Sequence, residues 1–517
     1  MHGDVDIRKI APVELDGHSL TLAQIEQIAK HGAEVLLNPA AEAIVAEAHK
    51  VLCELAAGGR PIYGLNRGVG VNKDRPIDAD YFEAYNRNLI LSHSSGIEPW
   101  ASDEQVRAIM VVRLNTLLIG CAGVQPSVVR MYVDFLNHRI HPALPLRGSI
   151  GAADISLLSH IGLAMIGEGI VSYGGQSMDA NEALAQAGLT KLRLGAREGL
   201  AIVSSNALSA GLGAIVLQEC RKLLETADVV YALSLEAIHG CRSPLDEGVY
   251  KARPFKGAAE SAKTVRRYLE GGQQGDCTIR ADRIQDPLSF RSACQVHGAA
   301  RDALAYAESL LLIQLNSSDD NPCLLVDDRR IVPNSNFDVT TWTLAFEMLG
   351  LALSHVSKIS CSRSIKLGNP DITGLTRFLT PDPDKTIGLG TLQKTFTSID
   401  AEIRHLAIPV SPDSYSISGD MEDHSSHAPF VVRKTGEILD RLYFILGMEA
   451  MNAAQAIDLR NETQLGQGTL TAYKGIRSKV SFLSVDRPLT GDIAMMAELL
   501  RNGALFSKDE EGGSLNA

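Results

Sequence analysis

An excess of basic residues is missing from this chain: 49 Lys and Arg stand against 61 Asp and Glu, a formal charge of −12 at pH 7. That balance leaves no electrostatic footprint for a phosphate backbone or an anionic lipid surface, so neither nucleic acid nor membrane is an expected partner. Long apolar runs are missing as well. The longest, Ala108 to Val124, is broken by Arg113 and Asn115, which argues against a membrane span. The opening Met-His-Gly-Asp-Val-Asp-Ile-Arg lacks the basic-then-apolar order of a secretory signal, and the expected location is the cytoplasm. The eight cysteines (53, 121, 220, 241, 277, 294, 323, 361) include no C-x-x-C pair, and no histidines cluster at ligand spacing. Free buried thiols are therefore expected, and a metal site is not. There is no repeat of solenoid period and no low-complexity tract; the Gly- and charge-rich tail Lys508 to Ala517 is expected to fray.

What is present is an ordinary globular balance, 45% hydrophobic and 21% charged over 517 residues, ample to bury a large core. Turn signals such as Gly58-Gly59-Arg60-Pro61, His141-Pro142 and Tyr173-Gly174-Gly175 interrupt the first two hundred residues, predicting a loop-rich N-terminal domain over 1–207. From Leu208 onward the pattern predicts long helices at 208–239, 295–315, 340–362, 387–406 and 429–461, making 208–517 a long-helix oligomerisation domain. In the first of these, Leu224, Val229, Val230, Ala232, Leu233, Leu235 and Ile238 cover most of the helix circumference, as in a bundle interior or a subunit interface. Few strand-like alternations occur, so the fold class is mainly α.

Four loop segments carry the residues with chemistry. In Tyr63-Gly-Leu-Asn-Arg-Gly-Val-Gly70 three glycines permit tight turns that present Tyr63 and Asn66. A surface turn explains it equally, and Tyr63 can act as a base only if cations or dipoles lower its pKa from about 10. Gly148 to His160 is a small-residue turn entering an apolar helix, with Asp154 at the N-cap position. Gln285-Asp-Pro-Leu-Ser-Phe-Arg291 ends in a guanidinium fork suited to a carboxylate, or to a surface ion pair, and the amide-rich loops Asn316–Pro322 and Asn334–Phe337 follow. Met421-Glu-Asp-His424 is a charged knot beside apolar helices.

Together, in this order, these segments resemble the aromatic amino-acid ammonia-lyase family: Tyr-Gly-x-Asn-x-Gly-x-Gly at Tyr63, Leu-Ser-His at Leu91–His93, Gly-Ser-x-Gly-Ala at Gly148, Gln-Asp-x-x-Ser-x-Arg at Gln285, Asp-Asn-Pro at Asp320, Asn-Phe at Asn336 and Glu-Asp-His at Glu422. The resemblance spans roughly Leu20 to Val480. It implies an ammonia-lyase-like long helical bundle, a homotetramer with sites built from loops of several subunits, and elimination of an amine from an α-amino acid. It further implies that Tyr63 is the base for the β-proton, that Arg291 holds the substrate carboxylate, and that Asn321, Phe337 and Glu422 line the pocket with His93 close by.

The departures from the family are as informative. Where it carries Ala-Ser-Gly before Asp-Leu, the tripeptide that cyclises into an electrophilic methylidene-imidazolone, this chain reads Gly151-Ala152-Ala153-Asp154, one residue shorter and without serine. The usual tyrosine of the Gln-Asp motif is Leu288, the supporting Asn-Gly-Thr is Ser204-Ser205-Asn206, and the Gln before Glu-Asp-His is Met421. No cofactor is therefore expected. Lys385, in Pro381-Asp-Pro-Asp-Lys-Thr-Ile-Gly388, replaces a more usual apolar residue. Two readings of it stand: a surface lysine paired with Asp382 or Asp384, or a proton donor beside Glu422.

A base and a carboxylate clamp without an electrophile suit a substrate whose nitrogen is already quaternary and leaves as a neutral tertiary amine. Within the family the resemblance is to the ergothionase type, which eliminates trimethylamine from ergothioneine, the trimethyl betaine of 2-thiohistidine, to give thiourocanate. The small-molecule partner expected is thus an aromatic betaine. Hercynine or another betaine as substrate, histidine ammonia-lyase activity, and an inactive scaffold are the alternatives.

Overall fold

The computed structural model describes residues 10–273, 285–412, 414–461, 464–503 and 505; the expectations for the first eight residues, for Cys277 and for the tail from Lys508 fall outside them. The fold is mainly α. The five long helices expected from the apolar pattern are Ala207–Ala237, Ala293–Leu315, Thr340–Leu367, Leu392–Leu406 and Ala428–Arg460. The last-but-one starts five residues late, because 382–388 is held as a turn by Thr386 N–H donating to Asp382 O and by Asp486 accepting from the amides of Ile387 and Gly388.

The chain forms two compact units that are not linear in sequence. The first comprises Met1–Val216, Glu308–Leu344 and Pro409–Arg433; the second comprises Leu217–Ala307, Ala345–Ile408 and Lys434–Ala517. Four of the long helices run from one unit into the other, so a division at 207/208 describes the change in sequence character and not the compact bodies.

Within the first unit, all strands among the described residues are two to four residues long. Val13–Leu15 pairs in parallel with Val35–Leu37, Ile97–Trp100 antiparallel with Pro145–Arg147, and Cys323–Leu325 antiparallel with Arg330–Val332; His141–Pro142, Ile170–Tyr173 and Gln176–Asp179 form a three-stranded antiparallel sheet. Short helices start at strong signals: Thr21 with Gln24 and Ser102 with Gln105 form reciprocal capping boxes. The Asp103–Leu117 helix is the unit's centre, with every residue from Val106 to Leu117 buried. Arg113 and Asn115, which break its apolar run, are fully buried and bonded. Asn115 accepts from Gly17 N–H at 3.0 Å and donates to Leu315 O at 2.9 Å.

In the second unit the residues expected to wrap the first long helix are all buried within the chain itself, so that helix is an interior element and gives no argument for a subunit interface. Apolar exposure lies elsewhere: Leu344, Met348 and Leu351, one stripe of the Thr340–Leu367 helix, are 55%, 42% and 53% exposed. One helical stretch, Glu198–Ala237, has the length and hydropathy of a membrane span, and 89% of its most apolar window is buried in protein. The expectation of free buried thiols holds for Cys220, Cys294 and Cys361. It fails at Cys53, which is exposed on the Pro39–Ala57 helix, and at Cys241, which is disulfide-bonded; Cys121 and Cys323 are free and half-buried.

Candidate active site

The first unit contains six of the eight residues expected at the site. Tyr63 stands half-buried at the start of its glycine loop, and its hydroxyl accepts from Gly70 N–H at 2.9 Å. Gly70 has φ +57, which makes the loop's tight return a glycine requirement. Burial pushes the Tyr63 phenol above its ordinary value, the Gly70 amide offsets part of this, and the negative charge of Glu422 pushes it further up. The two residues are therefore electrostatic neighbours, and the lowering that a tyrosine base requires is not supplied by the groups of the described residues.

Glu422 sits at the return of a tight loop in which Ile417 and Glu422 exchange backbone hydrogen bonds of 3.0 and 3.3 Å. Three successive residues, Ser418, Gly419 and Asp420, have positive φ there. Met421, where the family has Gln, lies 3.2 Å from Lys73 Nζ through its sulfur. His424 pairs with Asp338 through Nε2 at 3.1 Å. His93 is half-buried, its Nδ1 2.8 Å from Leu89 O. Asn66 spends its amide on its own loop, accepting from Ile62 N–H at 2.7 Å and donating to Arg60 O at 2.8 Å.

The Gly148–Asp154 segment lies on a buried polar base. Gly151 O accepts from Asn206 Nδ2 at 3.2 Å and Ser426 Oγ at 3.3 Å, Ile150 O from His427 N–H at 2.7 Å, and Ala152 bridges Asp338. Gly151 has φ +82, and a Cβ there would stand 2.6 Å from Ser426 Oγ. Asp154 occupies the N-cap position of the Ile155–Met165 helix but does not cap it. Its carboxylate accepts instead from Ser149 Oγ at 2.8 Å and from Ser209 N–H and Oγ at 2.9 and 2.7 Å, because those donors converge on it from below. Burial pushes Asp154 up to about 6 against the pull of these bonds.

Arg113, fully buried, reaches Asp320 at 2.7 Å and Asp319 at 3.5 Å and also donates to Ala201 O. Asp319 accepts from Ser205 Oγ and Asn206 N–H at 2.9 and 2.7 Å. Burial pushes Asp319 up, Arg113 opposes this and Asp320 adds to it. This network holds Asn321, whose Oδ1 accepts from Asn334 N–H at 3.1 Å, and the half-buried Phe337 three residues beyond Asn334. Arg113, Asp319 and Asp338 are not legible from sequence as site residues, yet they position the loops that are. A lone arginine inside an apolar run is the visible signal, since such a charge is buried only with a partner.

A methylidene-imidazolone does not fit the Gly148–Asp154 segment. Between Gly151 and Asp154 there is no serine to dehydrate. The nearest, Ser149, precedes Ile150 rather than a glycine, and its hydroxyl is bonded to Asp154.

Arg291 and Lys385 belong to the second unit. Arg291 ends the short Leu288–Arg291 helix, which is pinned by Tyr231 hydroxyl donating to Phe290 O at 2.7 Å. The buried Arg363, paired with Glu449 at 2.5 Å, also reaches Ser289 O. Arg291 Nε is buried and makes no hydrogen bond among the described residues, the state of a donor awaiting an acceptor. Leu288, in the tyrosine position, is exposed. Lys385 is 80% exposed and paired with Asp382 at 3.0 Å, so within one chain it takes the first of its two sequence readings.

The first unit therefore offers a tyrosine beside a carboxylate, with amides and an aromatic ring on braced loops; the second carries an arginine whose Nε has no partner among the described residues. The family model for aromatic amino acid lyases matches residues 20–478. Histidine ammonia-lyase of Treponema denticola is 37% identical over 496 residues, covering 96% of this chain and 97% of that protein. Among solved structures, ergothionase from Treponema denticola, in complex with desmethyl-ergothioneine sulfonic acid, superposes with a TM-score of 0.93 at 44% identity, covering 96% of this chain and 99% of that one. Tyrosine aminomutase from Streptomyces globisporus superposes with a TM-score of 0.92 at 30% identity, covering 96% and 98%. On sequence and on fold, the chain belongs to the aromatic amino acid lyase family and has its ammonia-lyase-like helical architecture.

Proposed function

We propose that this lyase eliminates trimethylamine from ergothioneine without an electrophilic prosthetic group. The observation that carries the reading is the Gly151-Ala152-Ala153-Asp154 loop. It lacks the serine of the family's electrophile and is braced by Asn206 and Ser426, while Tyr63, Arg291 and Glu422 are retained. Likeness to the ergothionase that binds an ergothioneine analogue supports it.

In the proposed reaction Arg291 binds the substrate carboxylate through the Nε that has no partner among the described residues. Tyr63 as phenolate removes the β-proton, and the C–H electron pair forms the Cα=Cβ double bond. The Cα–N bond breaks with its electrons on nitrogen, releasing neutral trimethylamine and leaving thiourocanate. Glu422, with a Lys385 that a neighbouring subunit of the proposed assembly would have to supply, holds and protonates the ring so that it accepts developing charge; removal of one such donor typically costs about 10²–10³-fold in rate. Phe337 faces the quaternary nitrogen, a cation–π contact worth about 0.5–2 kcal/mol. Asn321, His93 and Asn66 complete the binding loops. The fixed positive charge of the substrate offsets the burial and the Glu422 charge that hold Tyr63 up, so the substrate itself activates its base. Assembly as a homotetramer, supported by the exposed Leu344–Met348–Leu351 stripe, and a cytoplasmic location belong to the same proposal.

A second reading, deamination of histidine, is favoured by the name of the Treponema denticola relative. Incubation with ergothioneine, hercynine and histidine in parallel, assaying trimethylamine and ammonia, separates the two. Trimethylamine from ergothioneine alone is expected. Ammonia from histidine would replace the proposal by the second reading, trimethylamine from hercynine would change the substrate, and silence on all three would leave a scaffold or a lyase for an untested betaine.

A further inference from the structure

Away from these loops, the first unit contains a cavity of about 490 Å³ lined by ends of several elements: Lys30 and His31 after the Leu22–Ala29 helix, Asp103, Glu104 and Arg107 at the start of the central helix, Arg139, His141, and the Gly174–Gly175 turn. A space of this size suits a small organic ligand.

Its charges are unevenly satisfied. Asp103 is taken by His141 Nδ1 at 3.1 Å, and Lys30 pairs with Glu26 at 3.6 Å. Arg107, 4% exposed, donates Nε to Ile28 O at 2.9 Å and Nη1 to Leu136 O at 2.7 Å, closing two helix C-terminal turns. Its Nη2 has no partner among the described residues. The guanidinium of Arg139 has none among the described residues either; its backbone N–H alone is bonded, to Phe135 O. Burial and the charge of Arg139 push Arg107 down to about 10. His141, 7% exposed, leaves Nε2 without a hydrogen bond. Asp103, whose charge also acts on Arg107, and Glu104 are the carboxylates of the lining; the unpartnered donors of Arg107, itself buried, and of the Arg139 fork are what suit the cavity to an oxyanion.

We propose that this cavity binds a small metabolite through its oxyanion, a carboxylate or a phosphate ester, held between Arg107 and Arg139. The same rigid helix carries Arg107 and, six residues or about 9 Å further on, Arg113, which braces Asp319 and Asp320. The occupant would therefore rest on an element that also supports the candidate active site.

Isothermal titration of the full-length protein with inorganic phosphate and, separately, with succinate tests this at matched ionic strength. Saturable binding of at least one anion is expected, and the anion preferred tells a phosphoester from a carboxylate. Arg139→Asn, chosen because asparagine tolerates the left-handed φ of +57 at that position, should weaken binding about tenfold or more without changing turnover. Should that variant fail to fold, Lys30→Gln should weaken it to a smaller degree. Arg291→Met separates the cavity from the carboxylate clamp and should leave the titration unchanged. No saturable heat with either anion, binding indifferent to Arg139→Asn, or binding lost in Arg291→Met would each overturn the proposal.

Discussion

A phenol is a weak base at neutral pH, and Tyr63 within this chain is hindered further from ionising, raised by burial and by Glu422. If the substrate cation supplies the missing stabilisation, the ionisation seen in kcat lies at lower pH than the one seen in kcat/KM, because only the former reports the complex. Paired pH profiles check this, and coincident limbs would remove the substrate from the activation of its base. Tyr63→Phe should lower turnover by about 10²–10⁴-fold while leaving the melting temperature unchanged, read from single-turnover assays and calorimetry. Asp154 gives a stability signature of opposite character. Its folded pKa, up to about 6, exceeds its unfolded value, so its contribution is present below the ordinary carboxylate range and lost as pH rises through 6. Asp154→Asn should flatten the melting temperature between about pH 4 and 7; an unaltered slope would place the titrating group elsewhere. At this scale the sequence is informative about residue identity and silent about surroundings. Tyr63, Arg291 and Glu422 are legible from motifs. That Asp154 turns away from its helix, that Asn66 is bonded into its own loop and that Lys385 pairs with Asp382 depend on backbone geometry and on donors that the motifs do not specify.

Among elements, the long helices are legible because each buries most of its circumference and so stays apolar through many consecutive turns. The loops are legible as segments but not as an assembly. What joins them is Arg113, whose two carboxylates and backbone carbonyl lie 88 or more positions away in sequence; no local pattern reveals such partners. Arg113→Met leaves Asp319 and Asp320 buried and uncompensated, and should destabilise the protein by about 3–5 kcal/mol in urea denaturation. A loss under about 1 kcal/mol would mean that hydration replaces the guanidinium. Gly151→Ala meets both a strained φ and the Ser426 hydroxyl; it should cost about 1–3 kcal/mol and disturb turnover through the loop it carries.

For the whole molecule, neither the return of 308–344 and 409–433 to the first unit nor the exposed stripe on the Thr340–Leu367 helix is legible in the sequence. Helical periodicity reports burial but not which body does the burying, and a subunit interface reads like a core. If the proposed tetramer packs on this stripe, Met348→Glu with Leu351→Glu breaks it into smaller species by light scattering. Wild-type size in that variant would move the interface to another face. The chemistry proposed for the assembled enzyme is elimination by a base acting on a leaving group that needs no capture. A methylidene-imidazolone is an unsaturated carbonyl that cyanide adds to, whereas a tyrosine, an arginine and a glutamate offer cyanide nothing. The decisive measurement is kcat/KM for trimethylamine release from ergothioneine before and after incubation with cyanide. Unchanged values are predicted, and progressive inactivation would show that an electrophile forms in this chain after all.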